Sequence, residues 1–575
     1  MSLASLFLAF QGRIGRATFF LSLVFVWTAF FNLTFFLEKF LGDAGVVILI
    51  ALLLWMVFAL SVKRYHDLGK APKHLLLLLI PLVGPIWVFL ELTLRKGMAG
   101  NNRFGQSPDA ENLDYATVRP EPTPNTINDV TQINVVQVKE VLTPESVEEV
   151  CDIVKKTKGP LSIGGGRFSM GGQVSSPDST HLDMRKLNKI IAFNALEKRI
   201  HVQAGVRWCD IQRTVDNQNL SVKIMQTYAN FTVGGSLSVN SHGRYMGLGP
   251  LVLSVRFIRV VMPDGILVEA SPTVNKEIFY GVVGGYGALA IIVEAELELT
   301  ENIRVERSAI KLKREEYLPY FKQHIRNSKD AVFHNADIYP PHYTRLRAVT
   351  WSKTDAPASS PYRLMPLQRS YPVHRYFYWA FTETLTGKWR REFIVEPLLY
   401  RAKKVHWRNY EAGYDVAELE PSSRQHSTYV LQEYFVPIDR FDDFLPLMAA
   451  VLRKHKVNVI NISVRHALPD PGTYLAWARK EMFAFVLYYK QHVHIEARHA
   501  VGQWTRELID AVLRCDGTYY LPYQPHATPE QFHSAYPRAK ELFALKQKLD
   551  PDFRLRNVLW DKYYAPTLNQ TSESN

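Results

Sequence analysis

Three glycine-rich segments, in a fixed order along the chain, constrain its fold more than any other feature. Ile163-Gly-Gly-Gly-Arg-Phe-Ser-Met-Gly-Gly172 comes first. Thr232-Val-Gly-Gly-Ser-Leu-Ser-Val-Asn-Ser-His-Gly243 follows, and Val283-Gly-Gly-Tyr-Gly-Ala-Leu-Ala-Ile-Ile-Val293 is the third. A turn without Cβ atoms lets several backbone amides converge on an anion such as a pyrophosphate. Pro160–Ile163 reads as a strand entering the first turn, but no helix begins directly after the glycines, so the Rossmann fingerprint is not met. Three separate segments instead imply several backbone loops wrapped round one long ligand.

Strands and helices alternate around these loops. Val135–Val141 reads as a strand. Thr143-Pro144 then supplies an N-cap and first helical residue, with Val147, Val150, Ile153 and Val154 as the apolar face of a helix through Lys158. His181–Met184, Ile190–Phe193 and Arg199–Val202 read as short strands, and Trp208–Asn217 as a helix. Ser254–Met262, the Pro263-Asp-Gly265 turn and Ile266–Ala270 form a hairpin.

The order GGGRFS, VGG…SHG, Asp-Gly in a hairpin, then VGGYGALAIIVEAEL resembles the FAD-binding domain of the vanillyl-alcohol oxidase (PCMH-type) family, over residues 127–302. The resemblance implies that Gly164, Gly165, Gly166, Arg167, Phe168 and Ser169 bind the pyrophosphate, with Gly171 and Gly172 nearby. Val233, Gly234, Gly235, Ser238, His242 and Gly243 would line the flavin, and Gly285, Gly287, Ile291 and Val293 would contact adenine or the ring edge. Where the sugar-lactone oxidase branch carries a flavin-linked histidine, this chain has Arg167, which implies non-covalent FAD. That draws it toward the decaprenylphosphoryl-ribose and alditol oxidase branches.

Before residue 100 the composition is different. Three apolar runs, Ala17–Phe40, Gly45–Val62 and His74–Leu94, each approach the ~20 residues that cross a bilayer as a helix. Arg13, Arg16, Lys63, Arg64, Lys70 and Lys73 read as cytoplasmic, with a short Glu38–Asp43 loop outside. Pro81-Leu-Val-Gly-Pro85 interrupts the third run and favours a re-entrant hairpin, which returns the rest of the chain to the cytoplasm. Phe10-Gln-Gly-Arg-Ile-Gly-Arg16, Arg64-Tyr-His-Asp-Leu-Gly69 and Gly100-Asn-Asn-Arg-Phe-Gly105 resemble domain-of-unknown-function family 805, which implies a multi-pass bacterial inner-membrane location. His66 and Asp67 at the membrane edge read as headgroup contact and helix-end pairing in preference to a proton site.

Composition narrows the partners. The net charge of +13 has no block of five or six Lys and Arg, so it suits anionic lipid and excludes a nucleic-acid partner. Three cysteines without a CxxC spacing argue against a disulfide framework and against a metal site.

The aromatic-rich half after residue 302 lacks glycine clusters and reads as an α+β substrate cap. Leu431–Pro437, Val457–His466 and Phe483–Tyr489 are its expected strands, and Phe441–Lys454 a helix. Arg465 and His466 are candidate catalytic or substrate contacts. Tyr519-Tyr-Leu-Pro-Tyr-Gln524 and Arg554–Asp561 resemble the segment that returns to the flavin in the same branches. Tyr523 stands where those relatives carry a lysine, and with His466 and His242 it is a candidate base.

The expected class is therefore α+β, a two-subdomain PCMH-type FAD fold with an α+β cap, preceded by an all-α transmembrane domain. Expected boundaries are 1–106 membrane, 107–126 linker, 127–302 FAD-binding, 303–515 cap, 516–565 return segment and 566–575 disordered tail. The expected activity is oxidation of a CH–OH group in a sugar-like, lactone or lipid-linked alcohol, with oxygen or a quinone as acceptor. The alternatives are a C=C reductase using NAD(P)H and a non-catalytic membrane scaffold or sensor.

Overall fold

The computed structural model describes residues 3–81, 83–95, 97, 104, 125–367, 381–382, 384, 386–415, 424 and 427–572. The chain divides into two compact units, Met1–Glu121 and Pro122–Asn575. Most of the expected linker, and part of the Gly100–Gly105 motif, lie outside the described residues.

In the first unit α1 (Leu3–Leu8) precedes α2 (Arg16–Asp67), a 52-residue element. A straight helix of that length would span about 78 Å. Yet Arg13, just before its start, lies 3.0 Å from Asp67 at its end. The element therefore doubles back between its two apolar stretches, Arg16–Thr34 and Ala44–Asp67, of 19 and 24 residues. Phe19, Val26, Leu53 and Leu60 pack between the legs, while Phe20, Phe25, Ile48 and Leu54 face outward.

The third apolar run is no single helix. It breaks into a 3₁₀ turn, Pro72–Leu79, and α3 (Val83–Leu94), whose 12 residues fall short of a bilayer. Pro81 and Pro85 cannot supply the amides that a continuous helix there would need.

The family-805 motifs meet at the open end of the hairpin. Asp67 is 1% exposed and pairs with both Arg13 and Arg64. Arg64 also donates to the Leu92 and Arg95 carbonyls. His66 Nδ1 lies 3.1 Å from the Gly12 carbonyl, and its ring stacks on Phe104 at 4.0 Å.

Among the described residues the second unit has four sheets, the smallest an antiparallel pair of Thr126–Ile127 with Val136–Gln137. Strands β1 (Glu140–Leu142), β2 (Leu161–Gly164) and β3 (Thr180–Asp183) are parallel in the order β1-β3-β2. They pack on α4 (Val147–Lys156) through Val147, Val150 and Val154. The cap of α4 is Ser146, whose Oγ accepts the Glu149 amide at 3.1 Å, so the helix starts later than Thr143-Pro144 suggests. The expected Val135–Val141 strand is two short pieces, Val136–Gln137 and β1.

A second, antiparallel sheet comprises β4 (Ile190–Asn194), β5 (Arg199–Gln203), β6 (Leu220–Val222), β7 (Val255–Val261), β8 (Leu267–Ala270) and β9 (Ile291–Glu301). Its order is β8-β7-β9-β5-β4, with β6 on the far end of β9. The predicted hairpin is β7–β8, in register Val261↔Leu267.

The cap is an eight-stranded antiparallel sheet. Its strands are β10 (Arg304–Lys313), β11 (Ala331–Ile338), β12 (Arg345–Lys353), β13 (Val405–Trp407), β14 (Ser427–Pro437), β15 (Asn458–Ala467), β16 (Met482–His492) and β17 (Thr518–Tyr519). The order is β13-β10-β12-β11-β15-β16-β14-β17. Helix Phe441–Lys454 joins β14 to β15 with β16 between them, and Gln432 on β14 bonds Thr505 of helix Ile495–Arg514. The tail, expected to be disordered, is helical over Ala565–Ser572, with Ala565 and Leu568 against the core. Its anchor is the buried pair Tyr563 and Tyr564 immediately before it.

Candidate active site

A cleft of about 1540 Å³, solvent mouth included, runs from the first glycine turn to the face of the cap sheet.

One wall is the turn after β2. Gly165, Gly166, Arg167, Phe168 and Ser169 all line the cleft. A Cβ on Gly165 would lie 2.4 Å from Thr232 Oγ1, so only glycine lets the first two glycine segments approach this closely. Among the described residues, the amides of Gly166, Phe168 and Ser169 donate to no protein acceptor. Such a cradle of free N–H groups fits a pyrophosphate. Phe168 stacks on Phe231 at 4.2 Å, and Arg167 Nη2 reaches Asp183 at 3.2 Å, so both side chains are turned to the protein. Burial, then the Arg167 charge, push the neighbouring His181 imidazole down to about 3.

Gly234, Gly235, Ser238 and His242 form the floor, and Gly287, with φ +71°, closes the far end beside Tyr286. The return segment clasps the turn. The Pro522 carbonyl accepts the Met170 amide at 2.7 Å, and Gln173 Nε2 donates to the Tyr523 carbonyl at 2.7 Å. Asn557 lines the cleft and donates to the Tyr286 carbonyl at 2.8 Å, tying the third glycine segment to the C-terminus.

Other sequence-stated residues stand behind this surface. Gly164, Gly171, Gly172, Val233, Gly243, Gly285, Ile291 and Val293 do not line the cleft. Gly171 packs on the Tyr523 carbonyl and Gly164 on His181, where a Cβ would come within 2.3 and 2.7 Å. Ile291 and Val293 are core residues beneath the parallel sheet. These residues hold the shape of the loops and leave the lining to their neighbours.

The opposite wall is the cap sheet. On β14, Leu431 and Glu433 face the cleft, and on β15 Arg465 does. Glu433 opposes Val486, and Arg465 opposes Ala484. Successive side chains of a strand point to opposite faces. His466 therefore lies on the other face, where its Nε2 pairs with Glu481 at 2.8 Å against Phe321. Adjacent Arg465 and His466 cannot both reach the cleft, and the expectation for His466 is corrected accordingly.

Glu433 organises this end, and sequence reasoning missed it. His242 Nε2 lies 2.7 Å from its carboxylate, and the Tyr523 hydroxyl donates to it. Burial acts to raise the Glu433 carboxyl, but His242, Arg465 and the Tyr523 bond outweigh it and hold the group below the usual carboxylate range. Burial, then the Glu433 charge, push the Tyr523 phenol well up, so it is protonated at neutral pH. Burial also lowers Arg465, whose Nε has no hydrogen-bond partner. His242 Nδ1 faces the Gly243 carbonyl at 3.2 Å, so both its ring nitrogens are engaged. The available signal was a lone carboxylate in the otherwise uncharged run Leu431-Gln-Glu-Tyr-Phe-Val-Pro437. A buried charge asks for a partner.

Residues 138–271 match the family described as FAD binding domain, and residues 7–106 match Protein of unknown function (DUF805). The chain is 21% identical over 432 residues to L-gulonolactone oxidase of Bos taurus, covering 73% of this chain and 94% of the relative. It is 22% identical over 413 residues to decaprenylphosphoryl-beta-D-ribose oxidase of Mycolicibacterium smegmatis, covering 69% and 87%. Alditol oxidase of a Streptomyces species matches at 28% over 168 residues, 29% of this chain and 40% of the relative.

Proposed function

From the premise that this chain is an FAD-binding oxidoreductase related to enzymes of CH–OH donors, we propose that it oxidises a CH–OH group of a sugar-like alcohol, lactone or lipid-linked sugar. The observation that carries this reading is the Glu433–Tyr523–His242 cluster beside Arg465, facing the glycine turns across one cleft. The amides of Gly166, Phe168 and Ser169 would hold the pyrophosphate of FAD, and bound FAD would supply the hydride acceptor.

The proton is the task of the protein. Glu433 is the one acidic side chain among the described cleft-lining residues. Tyr523 already donates to it, which leaves phenolic lone pairs free to accept from a substrate hydroxyl. A proton leaving that hydroxyl passes to Tyr523 Oη as the phenolic proton passes to Glu433. His242, held with both nitrogens engaged, positions the carboxylate. Arg465, with its unpartnered Nε, binds the substrate oxygen as charge develops on it.

Arg167 has no imidazole to link to the flavin, so FAD is held non-covalently. The same chain is tethered to a bilayer. Both ends of the α2 hairpin lie on one side with Arg13, Arg16, Lys63 and Arg64, which supports a cytoplasmic face for that side. Val83–Leu94 is too short to cross alone, so the flavin unit stays on the cytoplasmic side of a bacterial inner membrane. Oxygen or a quinone reoxidises it.

Anaerobic titration of the purified chain tests the reading. Polyols, lactones or lipid-linked sugars should bleach the flavin without NAD(P)H, and acid should release it to the supernatant. Bleaching by NAD(P)H alone would favour a reductase, and a colourless protein would sink both enzymatic readings.

A further inference from the structure

Residues Gly387–Leu399 form one continuous helix, α-helical at Gly387–Arg390 and Glu396–Leu399 around a π-turn at Arg391–Val395. Its faces are reversed. Glu392 and Glu396 are buried against the cap, 6% and 7% exposed. Glu392 meets Lys311 Nζ and Arg345 Nε at 2.8 Å each. Glu396 meets Arg391 Nε at 2.7 Å and Arg347 Nε at 3.1 Å, and accepts the Tyr339 hydroxyl. Arg391 also donates to the Ile460 carbonyl and to Asn461 Oδ1. The outward face carries Trp389, Phe393, Ile394, Leu398 and Leu399, between 41% and 66% exposed.

A surface helix of a soluble domain turns its apolar stripe inward and its charges to water. Here ion pairs fix the helix the other way round, which is favourable only where the outward face leaves water. The rim is basic. Lys311 and Arg345 stand 4.4 and 4.9 Å from the Phe393 ring, and Arg401 and Lys403 follow the helix exposed. From 386 to 404 the acids are Glu392 and Glu396, both turned inward, against six Lys and Arg.

We propose that this helix docks the catalytic unit on an anionic bilayer surface, lying in the interface with Trp389, Phe393 and Leu398 at the headgroup–acyl boundary. Interfacial helices combine such an apolar face with cationic flanks. A second copy of the chain fits worse, because a two-fold pairing would set one basic rim against another. The contact is separate from the α2 hairpin and does not rest on the reading of the cleft.

The test uses the full chain in nanodiscs of phosphatidylcholine with and without phosphatidylglycerol, with brominated acyl chains as quencher. The chain has 11 tryptophans, so Trp389 is read as the difference between wild type and Trp389→Phe. The expected result is loss of most Trp389 emission to bromolipid in the anionic discs, less in neutral ones, with shielding from aqueous iodide. Phe393→Ser with Leu398→Ser should restore iodide quenching of Trp389 while flavin absorbance, the control for folding, is unchanged. Quenching by iodide but not bromolipid in the wild type would overturn the proposal. So would shielding from both together with cross-links between copies, which would assign the face to a second copy.

Discussion

Asp67 and Glu433 are both buried carboxylates between basic partners, and the difference between their surroundings separates a staple from a site. Arg13 and Arg64 close on Asp67, and Arg64 is further committed to two backbone carbonyls. Glu433 holds His242 and Tyr523, but its third neighbour, Arg465, keeps an unpartnered Nε and the cluster opens on a cleft. A fully satisfied network stabilises the packing of helices and has nothing left to offer a ligand. A network with an unmade bond keeps charge and donors in place for a molecule that is yet to bind.

The largest expected effect is at the open network. Glu433→Gln keeps the shape but removes the proton acceptor, and turnover should fall by about 10²–10⁴-fold. Flavin content and melting temperature should be near wild type, and stopped-flow bleaching measures the loss. If flavin and fold were lost together, Glu433 would be a staple like Asp67 and the contrast would fail. Asp67→Ala should do the reverse. Stranding two buried guanidinium groups costs about 3–5 kcal/mol, read as a lower melting temperature of the full chain in detergent. The flavin spectrum should not change.

A smaller effect sharpens the role of the glycine cradle. Gly165→Ala brings a Cβ to 2.4 Å from Thr232 Oγ1, and overpacking of this kind costs about 1–3 kcal/mol. Purified protein should carry less flavin per chain, and Thr232→Ala in the same chain should restore it. A variant with full flavin would place the cradle elsewhere.

The most gradual effect is on pH. The folded pKa of His181, about 3, lies below the ordinary value near 6.5. The unfolded chain therefore protonates first as pH falls. This stabilising contribution is complete above about pH 6.5 and declines below it by up to ~1.4 kcal/mol per pH unit. His334 and His526, lowered to about 3 and about 4, carry the same sign. Denaturant midpoints on the acid side of neutrality should fall accordingly, with a shallower slope in His181→Gln.

Much of the architecture was legible because it is local. The helix read as Phe441–Lys454 has those ends in the structure, since its apolar spacing and flanking charges are written within one segment. The β7–β8 hairpin follows from an Asp-Gly turn between apolar runs. The hairpin of α2 follows from two apolar stretches with basic ends. The site was less legible. Strand periodicity says that Arg465 and His466 face opposite ways but not which one faces the cleft. Glu433 looked like one polar residue in a strand until the fold brought it to His242, 191 positions away. The helix at Gly387–Leu399 carried an amphipathic pattern whose outward side no spacing could assign.

The sequence by itself determined that this chain has helices apolar enough for a bilayer, followed by glycine loops in the order that wraps a dinucleotide. Those properties reside in runs of neighbouring residues. Tertiary structure alone decided which charges meet. Strand register set Glu433 and Arg465 on one wall of the cleft and left His466 behind it. The return of the C-terminal segment brought Tyr523 to Glu433. Ion pairs to two cap strands, β10 and β12, turned an apolar helix face outward. Each depends on contacts between residues far apart in the chain, where the free energy of pairing a buried charge outweighs any local preference.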